Sequence, residues 1–597
     1  MKLRTDNSDK DNGLDKDFEI DERIKDFKNR RRRRKERKEK GFKIPAGLWI
    51  SFFIIIAVII AGVAAVKSGV FDDIGTNTEP TDIEALFSID EEDEVGILYN
   101  DEYIETTGIT ENGEVYLPYE FVRTELNGDL YYNENDGNIL YSTPTETVVF
   151  NEDSGDLKVK DGTAYISLTL ISKYTDLDKT ELFTDPYRVV IRNQWGEAKT
   201  ATVKRKAWLR RGPSRQNTRM KELVKGESLR IVSVNEIYSY AETEDGLLGY
   251  VENKRLGEIT DYEETPASNA ESFEYSSIHY DEPIVLGWHQ VFNDTANSYI
   301  DDYIGNSGDL NVIAPTWLTL TSTDGSFSNL CSSDYVTKAH NAGIKVWAVV
   351  DNFNSSDFAA TDDSYTLLSN TAVRQKLASE LVSSVTAVGA DGLNVDFELL
   401  STESGPHFAQ FIRELSIECR KASIALSVDN YVPKSYSELY HREVQGKVAD
   451  YVVIMGYDEY NTSSEEAGPV ASSSFVDDGI AKTLEDVDKS KVINAIPLYT
   501  RIWTTKDGTL NSQAVGMSDA SAFVANHSLE GSWDESSGYN YYYGEDGSGS
   551  HQVWLEDLDS IKAKLDIMKK YELEGVAFWR LGFDESGVWD AVNEWLK

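Results

Sequence analysis

The run DGLNVDFE, residues 391–398, decides the fold. Read as a β-strand, its side chains alternate faces, so Asn394, Asp396 and Glu398 share one side and Leu393, Val395 and Phe397 the other. The apolar side suits packing beneath a helix. The polar side needs surroundings that tolerate carboxylates, such as the mouth of a parallel β-barrel. Two carboxylates one strand repeat apart, about 6.6–6.8 Å, repel each other, which favours keeping a proton on one of them. A protonated acid beside a carboxylate is the equipment for acid-catalysed glycoside cleavage.

Outward from this run, strands and helices alternate from Pro283 onward, which predicts a parallel sheet under helical cover. The expected strands are IVLGWHQ, NVIAPTWLTL, KVWAVVDNF, LNVDFEL, IALSVDNY, YVVIMGY, VINAIPLY and VAFWRLG, with amphipathic helices such as AVRQKLASELVSSVTAVG between them. Eight units in roughly 315 residues fit an α/β fold of the (β/α)8 TIM-barrel type. Surplus chain falls at residues 504–550, where SWDESSGYNYYYGEDG reads as a hairpin inserted before the last helix.

DGLNVDFE resembles the DxxDxDxE signature of family 18 glycoside hydrolases, the chitinase and peptidoglycan N-acetylglucosaminidase family. Asp391, Asp396 and Glu398 match it, and Asn394 stands where Asp is commoner. Three further segments follow in the family's order: IMGYD (454–458), AIPLYTRIW (495–503) and GVAFWRLGFD (575–584). The resemblance covers residues 280–597 and implies a retaining hydrolase of β-1,4-linked N-acetylglucosamine glycans that needs no cofactor. It implies Glu398 as general acid, and Asp396 as the group that orients the substrate's own 2-acetamido group, whose carbonyl oxygen attacks the anomeric carbon. Tyr457 would hydrogen-bond that acetamide, Asp458 support it, and Trp579 floor the sugar site. Asp391, Asn394, Met455, Tyr499 and Arg501 complete the expected substrate-binding set, with Trp503 beside them. Trp288, His289, Trp317, Asp351 and Asn352 also fall at strand ends as candidate sugar contacts. An Asn at 394 is neutral and can still hydrogen-bond Asp396. The body resembles spore-cortex and peptidoglycan N-acetylglucosaminidases more than secreted chitinases, through its appended wall-type modules, the VWAVVDN strand and the short insertion. A silent glycan-binding or wall-tethering protein is the alternative, and the retained Glu398 argues against it.

Ahead of the barrel, GEVYLPYEFV at Gly113 is echoed by GTAYISLTLI at Gly162, two strand-then-helix half-repeats. Residues 95–193 resemble copper amine oxidase N-terminal-like domains, yet hold no His or Cys, so copper ligation is not expected. Residues 199–258 resemble a bacterial SH3-type domain, through WLRRGPS, VKGESLRIV and DGLLGYV, short β-runs bounded by Gly or Pro. Such a domain implies a wall peptide or glycan as partner, or a passive spacer. Residues 259–279 read as a linker.

The net charge of −44 is uneven: residues 1–43 carry 17 Lys/Arg against 11 Asp/Glu, a surplus of six, which leaves −50 on the remainder. A body that acidic repels nucleic acid. Two cysteines, Cys331 and Cys419, exclude a disulfide framework, with Cys419 read as a buried helical thiol, and the seven histidines show no metal-ligand spacing. Residues 44–66 contain no charge and, as a helix of about 35 Å, would span a hydrocarbon core of about 30 Å. The basic tail, 1–43, would remain cytoplasmic and the acidic stalk, 67–94, would hold the C-terminal body outside the cell membrane. Protease added to intact protoplasts should therefore remove the barrel and leave a membrane-bound tail fragment on a blot; a full-length body free in the medium would contradict this topology.

Overall fold

The computed structural model describes residues 76–178, 181–267 and 269–597. The basic tail, the apolar run 44–66 and the first part of the stalk lie outside the described residues, among which no helix is long and apolar enough to cross a membrane. The chain divides into two compact units. Of the described residues, the smaller takes in Thr76–Pro80 and Arg210–Arg219. Within it the Asn77 amide donates to the Arg215 carbonyl at 2.9 Å and its side chain to the Gln216 carbonyl at 3.0 Å. The larger unit is Thr81–Leu209 and Met220–Lys597.

In the larger unit the eight expected strands all form: β1 (Ile284–His289), β2 (Val312–Leu320), β3 (Lys345–Asp351), β4 (Gly392–Asp396), β5 (Ala425–Tyr431), β6 (Tyr451–Met455), β7 (Val492–Pro497) and β8 (Gly575–Trp579). Each pairs in parallel with the next, and β8 closes the barrel on β1. The alternation expected of β4 holds. Leu393, Val395 and Phe397 join the core beneath the helices, while Asn394 turns to the lumen. Ile284, Leu286, Val312, Val349, Val453 and Ile493 fill that lumen, with Trp347 and Tyr451 packed at 5.2 Å towards its lower end. A Cβ on Gly392 would sit 2.5 Å from the Trp347 ring, so glycine is what lets that indole occupy the lumen.

The run read as an amphipathic helix is Thr371–Ala387, started by the Asn370 side chain accepting from the Val373 amide and burying Leu377, Ala378, Leu381, Val382 and Val385 on one face. The insertion is larger than a hairpin. After β7, strands Tyr499–Lys506, Thr509–Gly516, Glu530–Asp534, Tyr539–Asp546 and Gly549–Leu555 form a five-stranded antiparallel sheet, covered by helix Met517–Asn526. Sequence alternation marks the tyrosine-rich hairpin. The first two strands were concealed because they continue straight out of the β7 motif. Cys331 and Cys419 are both free, and Cys419 is buried on helix Gly405–Ala422.

The two half-repeats appear as matched hairpin-then-helix units. Asn112–Gly113 and Asp161–Gly162 make the turns, all four with positive φ, as a two-residue hairpin turn requires. The strands after them, Glu114–Pro118 and Thr163–Ser167, pair antiparallel at the centre of the sheet. Residues read as the end of the stalk are folded too: Phe87 is fully buried and shares one core with Leu98, Val190, Leu229 and Val251. Strand Thr260–Glu264, read as linker, pairs with Gly196–Thr202, so that β-rich module reaches further than its expected boundary.

The half-repeat module docks on the barrel. Its strands Tyr131–Asn133 and Asn138–Ser142 cover helix Gly405–Ala422, whose His407, Gln410, Arg413 and Glu414 are consequently buried. Tyr131 bonds His407, Ser142 accepts from Gln410 at 3.0 Å, and Asp129 pairs with Arg413 at 2.9 Å and with Lys447. Beneath them Arg374 and Glu414 form a buried two-point ion pair, at 2.7 and 3.1 Å. Arg374→Met should lower stability by about 3–5 kcal/mol, because it leaves a buried carboxylate without its cation. Replacing both partners by Met and Leu should recover most of that loss in thermal melting.

Candidate active site

β4 ends at Asp396, and three contacts then fix how the chain leaves the barrel. The Phe397 ring stacks on Phe411 at 5.6 Å, and the Tyr440 hydroxyl donates to the Phe397 carbonyl at 2.9 Å. The fully buried Asn352, just past β3, accepts from the amides of Glu398 and Leu399 at 2.8 and 3.1 Å. Glu398 is thereby held beyond the strand end, half-buried, with one carboxylate oxygen accepting from the Tyr431 hydroxyl.

Around it lies a set of carboxylates with little to neutralise them. Register places Asp351 beside Asp396, and Asp396 and Asp429 each follow the paired Val395 and Val428 by one residue. Asp396 is buried, and its Oδ1 has no hydrogen-bond partner. Burial, then the charges of Glu398, Asp429 and Asp351, holds its carboxyl well above the usual range. Burial pushes Asp429 up to about 8 despite the hydrogen bond from Asn394, with Glu398 adding repulsion. Glu398 is raised by burial, opposed by the Tyr431 donor and reinforced by Asp458 and Asp351. Asp351 is raised by burial while it accepts from Thr319 at 3.0 Å and from the Asn354 amide at 3.1 Å. All four are displaced towards the protonated form, a direction that suits general acid chemistry.

Asn394 does not bond Asp396. Its amide nitrogen donates to Asp429 at 2.8 Å and to Ser427 at 2.9 Å, and its oxygen accepts from the Trp288 indole at 3.0 Å. Trp288 in turn meets Trp579 edge-on at 6.0 Å, and Trp579 is half-buried at the end of β8. Past β6, Tyr457 meets Tyr499 edge-on at 6.3 Å, and the Tyr499 hydroxyl donates to Asp458 at 2.5 Å. Arg501 lies 4.0 Å from Asp458 and donates to Thr462 and Ser512, both at 3.0 Å. Met455 is buried at the end of β6, in register with Tyr431. Burial and the charge of Asp396 raise the Tyr457 phenol, which keeps it a neutral donor.

Three expected contacts fall elsewhere. Asp391 precedes β4, at the opposite end of the barrel, where it accepts from the Val346 amide and sits 2.8 Å from His340. Trp317 is fully buried and donates to Asn297 at 2.7 Å. His289 is buried against Tyr335 at 2.8 Å, and burial lowers its imidazole to about 4. Conversely, Asp429 and Tyr431 escaped the reading of the sequence. Ser427, Asp429 and Tyr431 alternate along β5 as Asn394, Asp396 and Glu398 do along theirs, and that shared period was the available signal.

Residues 236–584 match the profile of glycosyl hydrolases family 18. The chain belongs to this family. It is a glycoside hydrolase. The Bacillus subtilis glycosylase YvbX is 26% identical over 272 residues, 44% of this chain and 78% of that protein. The Bacillus subtilis cortical fragment-lytic enzyme is 26% identical over 239 residues, 38% of this chain and 55% of its own length. A chitinase structure from Chromobacterium violaceum superposes with a TM-score of 0.48 at 21% identity, covering 53% of this chain and 99% of that one. The Bacillus cereus spore cortex-lytic enzyme SleL gives 0.48 at 19% identity, over 55% and 76%.

The Tyr431 hydroxyl stabilises the ionised form of Glu398, so removing it raises the carboxyl further. In a family 18 hydrolase whose acid is Glu398, Tyr431→Phe should move the alkaline limb of kcat/KM to higher pH. A hydrogen bond to a charge is worth about 1.5–3 kcal/mol and one pH unit about 1.36 kcal/mol, so the displacement should be about one unit or more. The pH–rate profile of the variant checks it.

Proposed function

We propose that the chain is a membrane-anchored, outward-facing retaining hydrolase of β-1,4-linked N-acetylglucosamine glycans, acting on peptidoglycan in preference to chitin. One observation carries the mechanism: the buried, partnerless Asp396 oxygen beneath Glu398. Glu398, whose carboxyl burial and neighbouring charge shift towards the protonated form, gives its proton to the leaving glycosidic oxygen. Asp396 faces the substrate's acetamide N–H and stabilises the positive charge that develops as the acetamide oxygen attacks the anomeric carbon. Tyr457 donates to that oxygen, and Trp579 supports the apolar face of the sugar. Tyr499, Asp458 and Arg501 form a connected wall beside them.

The family membership supports glycan hydrolysis, and the name of the cortical fragment-lytic enzyme supports a wall glycan as substrate. The acidic body and the uncharged run behind a basic tail support the outward location, with the β-rich module at 196–264 offering a second contact to wall peptide or glycan.

Glu398→Gln should abolish turnover, a loss of at least about 10²–10⁴-fold, while glycan binding persists, because the amide keeps the shape but has no proton to deliver. NMR of the first product from N-acetylated chains should show the β anomer. Fully de-N-acetylated chains should resist cleavage, since the substrate then lacks its nucleophile. An α anomer appearing first, or equal cleavage of deacetylated chains, would sink the substrate-assisted route.

A further inference from the structure

We propose that the insertion sheet carries a zinc site built by His527, Asp546 and His551. Three separate segments supply it: His527 closes helix Met517–Asn526, Asp546 ends strand Tyr539–Asp546, and His551 stands in strand Gly549–Leu555. One ligating atom of each lies within 4.8 Å of the other two. His527 Nδ1 is 2.5 Å from one Asp546 oxygen, and His551 Nε2 is 3.3 Å from the other.

The environment selects a cation. His551 is 2% exposed, and its Nδ1 lies 3.0 Å from the Thr504 hydroxyl. With Nδ1–H given to Thr504, the Nε2 lone pair points at the Asp546 carboxylate. Ser548 already donates its hydroxyl, at 2.5 Å, and its amide, at 2.7 Å, to that same carboxylate oxygen. The Ser548 hydroxyl also lies 3.1 Å from His551 Nε2, but its one proton serves either Asp546 or that nitrogen, which in this tautomer leaves one of the two electron-rich atoms without a donor. A divalent ion satisfies both, and an acceptor on the remote nitrogen, here the Thr504 hydroxyl, fixes the imidazole in the tautomer a metal needs. Two imidazoles and a carboxylate suit Zn²⁺, with a fourth position for water. Closing to bonds of about 2.0–2.2 Å needs only a contraction of the cluster.

The position gives the ion a structural task. Phe523 stacks on His527 at 4.0 Å and meets His551 edge-on at 5.2 Å, so the site borders the small core of Ile502, Val524, Leu529 and Val553. His551 is paired with Thr504 on strand Tyr499–Lys506, the strand that also carries Tyr499 and Arg501. A bound ion would fasten the helix end, the hairpin and this strand together, and metal affinity would add to the stability of the insertion.

The test uses the full chain without an affinity tag, stripped with EDTA and dialysed. Calorimetric titration with ZnCl₂ should show one ion per chain and a raised melting temperature. Co²⁺ titrated into the unmutated chain should give the visible bands of a four-coordinate site. His527→Ala, at a partly exposed position, should remove binding and the thermal shift while leaving hydrolysis of N-acetylated glycan unchanged. Thr504→Val should weaken binding about 10–100-fold. Absence of saturable uptake, or uptake unaltered by His527→Ala, would overturn the site.

Discussion

Four carboxylates, Asp351, Asp396, Asp429 and Glu398, meet at the C-terminal mouth of a barrel whose lumen is filled with apolar side chains. Asp351, Asp396 and Asp429 are buried and Glu398 half-buried, and the donors bonded to Asp351, Asp429 and Glu398 are neutral: Asn394, Tyr431, Thr319 and backbone amides. Burial therefore acts on each group before any partner does, and every one is displaced towards its protonated form. For Asp429, with a folded value of about 8 against an ordinary 3.8, the associated stability is present at low pH and is lost as pH rises through 8. The fold accepts that liability at the mouth, where proton transfer is needed, whereas two deep charges elsewhere are paired, Arg374 with Glu414 and Lys564 with Glu556.

Holding such a cluster requires a rigid frame. The barrel supplies one through closure, since β8 on β1 leaves no strand edge to relax. Asn352 and Tyr440 then grip the backbone on either side of Glu398, so the acid stands on a fixed segment although the strand has ended. On the outside, the half-repeat module covers helix Gly405–Ala422, the helix that packs behind Phe397. The module is thus continuous with the frame of the site, through Tyr131 on His407 and Ser142 on Gln410.

How much of this was legible in the sequence follows from which forces are local. Strand alternation and the order of apolar runs are local, and all eight barrel strands were read from them. Glu398, Asp396, Tyr457, Asp458, Tyr499, Arg501 and Trp579 were proposed from motifs that mark strand ends, and the structure gathers them at one mouth. Asp391 was misread because a signature records spacing without saying which end of a strand each member occupies. Asp429 and Tyr431 were legible only as an alternation along β5, whose place beside β4 the spacing does not give, and the His527–Asp546–His551 cluster depends on pairing between distant segments, which spacing along one chain does not record. The polar residues of helix Gly405–Ala422 are buried beneath the docked module, a contact between segments far apart in the chain.

The departure at Asn394 has a physical explanation in this arrangement. An aspartate there would add another carboxylate to a mouth already crowded with them, and it would have no proton to offer Asp429 unless it were itself protonated. The amide meets both demands at once, donating to Asp429 and Ser427 while accepting from Trp288. It thereby joins the carboxylates to the indole that meets Trp579, so the acid–base groups and the sugar floor share one buried hydrogen-bonded framework. An Asp at 394 forms that framework only in one protonation state, whereas Asn forms it at every pH. In this chain the proton is left to Asp396, Asp429 and Glu398, and residue 394 serves to position them.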